Sequence, residues 1–187
     1  EIILGSRKFY KVPKWLPKAK VVKVDWKNKI TLLDICRGVD IIVHAAGLNA
    51  NDCILKPELA KEFNGKITSN LLNASIKNSV KKFIYLSTAH VYNKPLEGTI
   101  SELSKPKNTH PYATSNLTGE TSVLNATHGG KINGIVLRLS NVFGPPAHIH
   151  VGCWILLIND LCKQAITKHE LILKSKCKIY LFYPLIF

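Results

Sequence analysis

Three side chains near the middle of the chain are of types that move protons. Ser87 and Thr88 end the apolar run Phe83-Ile84-Tyr85-Leu86, and Tyr112 opens the segment Tyr112-Ala113-Thr114-Ser115-Asn116. A hydroxyl at the mouth of a buried strand and a phenol at the start of a helix suit polar chemistry at the C-terminal edge of a parallel sheet. Open α/β folds take their ligands there. Asn116 follows Tyr112 by four residues, one helical turn, and so shares its face.

The elements that must position these groups alternate between strand and helix. Residues 1–4 read as the end of a strand broken at Gly5-Ser6-Arg7-Lys8, and residues 21–24 as a second strand ended by Asp25. Residues 27–36 carry Ile30, Leu32, Leu33 and Ile35 densely enough for a helix that Gly38 closes. The stretch 40–47 is a continuous apolar run, the pattern of a strand buried on both faces. From 57 to 80 one helical face collects Leu59, Phe63, Ile67, Leu71, Leu72, Ala74 and Ile76. A strand at 83–86 precedes the site. A helix over 112–127 with Leu117, Val123 and Leu124 inward, a strand at 134–139 and a helix near 153–166 follow it. Such alternation predicts an α/β fold, a doubly wound parallel sheet with helices on both faces.

The 187 residues suffice for one domain with a sizeable core. The absence of Met and an opening inside the apolar run Glu1-Ile2-Ile3-Leu4 are what part of a longer chain would show. A net charge of +14 raises the question of nucleic acid, but only Arg7, Arg37 and Arg138 are arginines and the lysines are scattered. A nucleic-acid surface needs a clustered stripe, so no nucleic-acid partner is expected. Five cysteines without a CxxC pair argue against a disulfide framework or structural zinc and for a reduced, cytoplasmic protein. No run of about 20 apolar residues is present to suggest a membrane span. The terminal stretch 178–187 has no polar face and reads as an aberrant tail.

Several motifs, in order, carry a family resemblance. They are His44-Ala45-Ala46-Gly47, Asn64 with Thr68-Ser69-Asn70-Leu71-Leu72, Ser87-Thr88-Ala89 with Val91-Tyr92, Pro111-Tyr112 with Ser115, and Leu137-Arg138-Leu139-Ser140-Asn141-Val142-Phe143-Gly144-Pro145. Together they resemble extended short-chain dehydrogenases/reductases of the NAD-dependent epimerase/dehydratase branch, which acts largely on nucleotide sugars. The resemblance implies a Rossmann-like fold incomplete at both ends. Residues 1–150 would be an NAD(P)-binding domain without its first strand and glycine loop, and 151–187 the start of a substrate domain.

The resemblance also implies roles. Tyr112 would exchange a proton with a substrate hydroxyl or carbonyl, and Thr88 would hydrogen-bond the same oxygen. Asp25 with Trp26, His44, Ala45, Ala46, Asn64, Ser87, Tyr112 and Pro145 would border the dinucleotide, and Ala89 and Asn141 the substrate. Arg7 stands where a 2′-phosphate is accommodated, which leans the cofactor from NAD toward NADP. A nucleotide-sugar-like molecule is the implied substrate and a homodimer the implied assembly. Asn116 departs from the pattern, because the family carries Lys there. A neutral amide keeps a hydrogen bond for the ribose but supplies no charge to a tyrosinate, unless Lys105, Lys107 or His110 does so. That departure, with the missing glycine loop, defines the alternative reading, a catalytically inactive fragment or pseudoenzyme.

Overall fold

Short parallel strands and the helices between them carry the fold. The computed structural model describes all residues except 8–10, 94, 95, 97, 147–151, 174–181 and 185–187. The chain divides into two compact units, Glu1–Arg138 and Leu139–Phe187.

In the first unit, β1 (Ile3–Ser6) pairs in parallel with β2 (Lys20–Lys23). Helix α1 (Lys29–Ile35) starts where Asn28 Oδ1 accepts from the Ile30 and Thr31 amides, satisfying donors that a helix N-terminus leaves open. Beyond it Gly38 takes a left-handed φ of 71°, which lets the chain turn into β3 (Ile41–His44).

The stretch expected as one helix over 57–80 is built in pieces. Helix α2 (Ala50–Leu55), which the apolar pattern did not reveal, is capped by Asn49 accepting from the Asp52 amide. Lys56 then leaves the helical region, as a residue before proline tends to do, and Pro57 opens α3 (Pro57–Ala60). A π-helical stretch, Lys61–Ile67, leads into α4 (Thr68–Lys77).

Strand β4 (Lys82–Thr88) is the middle strand of a sheet with β3 on one side and β5 (Asn133–Leu139) on the other. Helix α5 (Pro111–His128) connects β4 to β5. The β3–β4 pair is parallel, with Ile42 opposite Phe83 and His44 opposite Tyr85. Leu32, Cys36, Leu71, Leu72, Phe83, Tyr85 and Val123 form the core that α1, α4 and α5 build against this sheet.

The run 40–47 is not buried on both faces. Only four of its residues are strand, and Ile41 and Val43 are 53% and 58% exposed while His44 is buried. Successive side chains alternate between faces, and in β3 only the face of His44 is covered. Between the two sheets lies a cleft of about 310 Å³, lined by Leu4 and Gly5 of β1, Val22 of β2 and residues 41–46.

In the second unit, β6 (Asn141–Phe143) pairs in parallel with β7 (Phe182–Pro184), so three residues of the supposedly featureless tail form a strand. The last helix is a short 3₁₀ turn, Gly152–Ile155, followed by α6 (Leu157–Lys168). Residues 171–173 have no regular structure. The rest of the tail, with Lys174 and Ser175, lies outside the described residues.

Candidate active site

Tyr112 sits in the first turn of α5, where His110 caps the helix by accepting the Tyr112 amide on Nδ1 at 3.1 Å. Thr88 ends β4, buried, and its Oγ1 accepts from the His90 amide at 3.2 Å. The two sequence-expected groups meet. Burial raises the Tyr112 pKa above the ordinary tyrosine value, a hydrogen bond with the Thr88 side chain partly offsets that, and Cys53 adds a small further rise. Among the described residues no cation contributes to this balance. Lys105 and Lys107 are exposed and His110 is engaged as the helix cap.

Asn116 is buried and turned inward. Its Oδ1 accepts from the Tyr85 hydroxyl at 3.0 Å and its Nδ2 donates to the Tyr112 carbonyl at 2.8 Å. Both ends of the amide are thus committed inside the protein. Tyr85 is itself held neutral, because burial, and after it the negative charge of Glu120, raise its pKa.

One turn further along α5 comes Glu120, 1% exposed. Arg138 of β5 donates Nε to both carboxylate oxygens at 3.1 Å and a terminal nitrogen to Oε2 at 2.6 Å. The Ser87 hydroxyl donates to Glu120 Oε1. The guanidinium also lies 4.7 Å from the centroid of the Tyr92 ring. Sequence reasoning missed Glu120, Arg138 and Tyr85. Asn116 and Glu120, spaced i,i+4 with Ala113 and Val123 close to the same stripe, carried the signal that the inner face of this helix is partly polar. Leu124, expected inward, is instead 36% exposed.

Beside these groups the π-helical stretch presents Asn64, fully buried. Its Oδ1 accepts from the Leu48 amide at 2.8 Å and its Nδ2 donates to Ser115 Oγ at 3.0 Å, tying the loop after β3 to α5. Helix α5 crosses closely here: a Cβ on Gly119 would stand 2.7 Å from the Asn64 carbonyl oxygen and 2.8 Å from the Tyr85 hydroxyl. His44 faces the interior too. Its Nε2 is 3.0 Å from Thr68 Oγ1, its ring stacks on Tyr85 at 5.7 Å, and burial lowers its pKa to about 4. His44, Ala45 and Ala46 line the cleft.

Asp25 is exposed and its Oδ1 accepts from the Lys27 amide at 3.0 Å, making the turn before α1. Trp26 lines the cleft and packs on His44 and Phe63 at 5.9 and 6.0 Å. Arg7 is exposed just beyond β1, and Ala89 begins the 3₁₀ turn after Thr88. Asn141 and Pro145 belong to the second unit. There Asn159 brackets Gly144, accepting its amide at 3.4 Å and donating to its carbonyl at 3.2 Å, and Pro145 lines an apolar cavity of about 780 Å³ with Trp154, Ile158 and Ile166.

Thr88 at the carboxyl end of the middle strand and Tyr112 at the start of the following helix stand at the edge where open α/β proteins take their ligands. The pattern of the NAD dependent epimerase/dehydratase family matches residues 1–173, and the chain belongs to that family. The dTDP-D-glucose 4,6-dehydratase of Mus musculus is 35% identical over 119 residues, 62% of this chain and 33% of that protein. Among solved structures, DesIV, a dTDP-glucose 4,6-dehydratase from Streptomyces venezuelae with NAD and TYD bound, superposes with a TM-score of 0.69 at 24% identity, over 82% of this chain and 46% of that one. MoeE5 in complex with UDP-glucose and NAD gives 0.72 at 21% identity, over 90% and 53%. The chain thus spans a third of the mouse relative and about half of each structure. The relatives' descriptions give no support to the inactive alternative. Among the described residues no helix is long and apolar enough to cross a membrane, and no cluster of candidate ligands for a metal ion occurs.

Proposed function

We propose that the chain serves a nicotinamide-dinucleotide-dependent reaction of the epimerase/dehydratase type on a nucleotide sugar or a related hydroxyl or carbonyl substrate. The observation that carries this reading is the Tyr112 phenol beside Thr88 at the carboxyl edge of β4. Tyr112 exchanges a proton with the substrate oxygen, and the Thr88 hydroxyl hydrogen-bonds that oxygen and keeps the phenol from being pushed higher. The dinucleotide, when bound, supplies or accepts the hydride. The small residues Ala45 and Ala46 at the cleft mouth fit such a group, since they let its backbone approach, and Asn64 fixes the loop that carries them on.

Arg7, exposed past β1, supports the phosphorylated dinucleotide, and the NAD bound by DesIV and MoeE5 supports the other. Titration of the full-length protein with NAD and NADP, followed by turnover of UDP-glucose and dTDP-glucose, tests the proposal. Saturable binding with loss of turnover in Tyr112→Phe is the expected result; a folded protein that binds neither dinucleotide overturns it. A cytoplasmic homodimer paired through the helical stretches 57–80 and 112–127 belongs to the same proposal, and sedimentation velocity tests the pairing.

A further inference from the structure

The inner face of α5 meets β4 at three levels. Tyr112 meets Thr88, Asn116 meets Tyr85, and Glu120 meets Ser87, so residues spaced i, i+4 and i+8 each hold a polar side chain of the same strand. The third level carries a charge, and that needs a reason. An apolar residue at 120 would fill the core without the cost of removing a carboxylate and a guanidinium from water, a cost that buried pairs often fail to recover. What the pair does accomplish is geometric. Glu120 grips Ser87, the residue before Thr88, with a charge-assisted hydrogen bond. Its partner Arg138 stacks on Tyr92, four residues after Thr88. Thr88 is therefore bracketed on both sides by one ion pair. Because Glu120 and Tyr112 share a helix, the bracket ties the hydroxyl to the phenol through rigid elements.

We propose that Glu120, oriented by Arg138, is a positioning residue that sets the place of Thr88 against Tyr112 through its grip on Ser87. The inference rests on the proposed roles of Tyr112 and Thr88. Ser87→Ala isolates it, since that change removes one hydroxyl and leaves the Glu120–Arg138 pair whole. In the full-length enzyme Ser87→Ala lowers kcat on the order of tenfold or more, as small misplacements of reacting groups do, while KM for the nucleotide sugar stays within about twofold. Ser87→Thr, which keeps a hydroxyl, restores kcat. Glu120→Gln acts in the same direction.

A second readout needs no turnover. With ¹³Cζ-labelled tyrosine, the Tyr112 resonance, assigned by its absence in Tyr112→Phe, titrates at higher pH in Ser87→Ala than in the parent, in the direction given by Thr88→Val. A purely structural role for Glu120 lowers the melting temperature without moving that titration. Unchanged kcat and unchanged Tyr112 titration in Ser87→Ala overturn the proposal, whatever the fate of Glu120→Gln. If the parent turns over no nucleotide sugar, the proposed function fails, and the tyrosine titration still decides the bracket.

Discussion

The two faces of the β3–β4–β5 sheet are made of the same kinds of strand residue and have opposite fates. On one face His44, Phe83, Tyr85 and Ser87 are buried beneath α4 and α5, and the polar ones all have named partners. On the other, Ile41, Val43, Leu137 and Leu139 are 41% exposed or more. Hydrophobicity alone does not separate these faces, since the covered one is the more polar. The helices do, because α5 brings Asn116 and Glu120 to meet the strand's hydroxyls and guanidinium. The covered face is a specified site, and the open face is unspecialised apolar surface.

The contrast is broken most forcefully at the ion pair. Arg138→Ala leaves the Glu120 carboxylate buried without its partner and is expected to lower stability by about 3–5 kcal/mol in urea unfolding. Next comes acid. Burial holds the His44 pKa at about 4 against 6.5 for the free side chain. Between those values the unfolded chain binds a proton that the folded one refuses, so stability present above pH 6.5 is lost as pH falls toward 4. The loss approaches about 3 kcal/mol, and His44→Gln flattens the slope in denaturation curves taken across that range. Gly119→Ala forces a methyl against the Asn64 carbonyl and the Tyr85 hydroxyl, and about 1–3 kcal/mol of overpacking cost should appear in the melting temperature. On the open face, Val43→Thr should stay within about 0.5 kcal/mol of the parent by the same measurement. A large effect there would mean that the open face is covered in solution.

Activity sharpens the same comparison. With no cation beside it among the described residues, the Tyr112 phenol ionises above the ordinary tyrosine range, so any step that uses it as a base gains rate as pH rises. Asn116→Lys should bring the rising limb of the pH–rate profile down by about one unit or more, an opposite charge favouring tyrosinate. Because Asn116 accepts from Tyr85, the double variant with Tyr85→Phe should express that shift with less loss of stability than Asn116→Lys alone.

Much of this was legible before any coordinates. Continuous apolar runs and turn residues located five strands and most of the helices between them, and the motifs singled out Thr88, Tyr112 and Asn116 as candidates at the end of β4 and the start of α5. Direction was not legible. Asn116 is singled out by its place four residues after Tyr112, and the Tyr85 hydroxyl at 3.0 Å shows its amide turned inward. His44 and Asn64 were singled out for the dinucleotide, yet their side chains close internal hydrogen bonds and hold the loop after β3. Arg138 sits in an apolar strand with no local hint of Glu120, which is 18 residues away. The breaks within 50–77 were hidden for a different reason: a π-helical turn keeps the apolar residues coming at nearly helical intervals, so periodicity smooths over it.

The cleft between the sheets bears on how the molecule behaves in the tube. Among the described residues β1 pairs only with β2 and β3 only with β4, so each has one side without a ladder partner there. β2 carries Lys20 and Lys23 at its ends, charges of the kind that keep strands from adding to one another. The facing rows Ile3-Leu4-Gly5 and Ile41-Ile42-Val43 have no such guard. Handling of the isolated chain is thereby set by concentration and temperature as much as by fold stability. Turbidity that grows with protein concentration, and falls when a lysine replaces Val43, would trace precipitation to that bare edge rather than to unfolding.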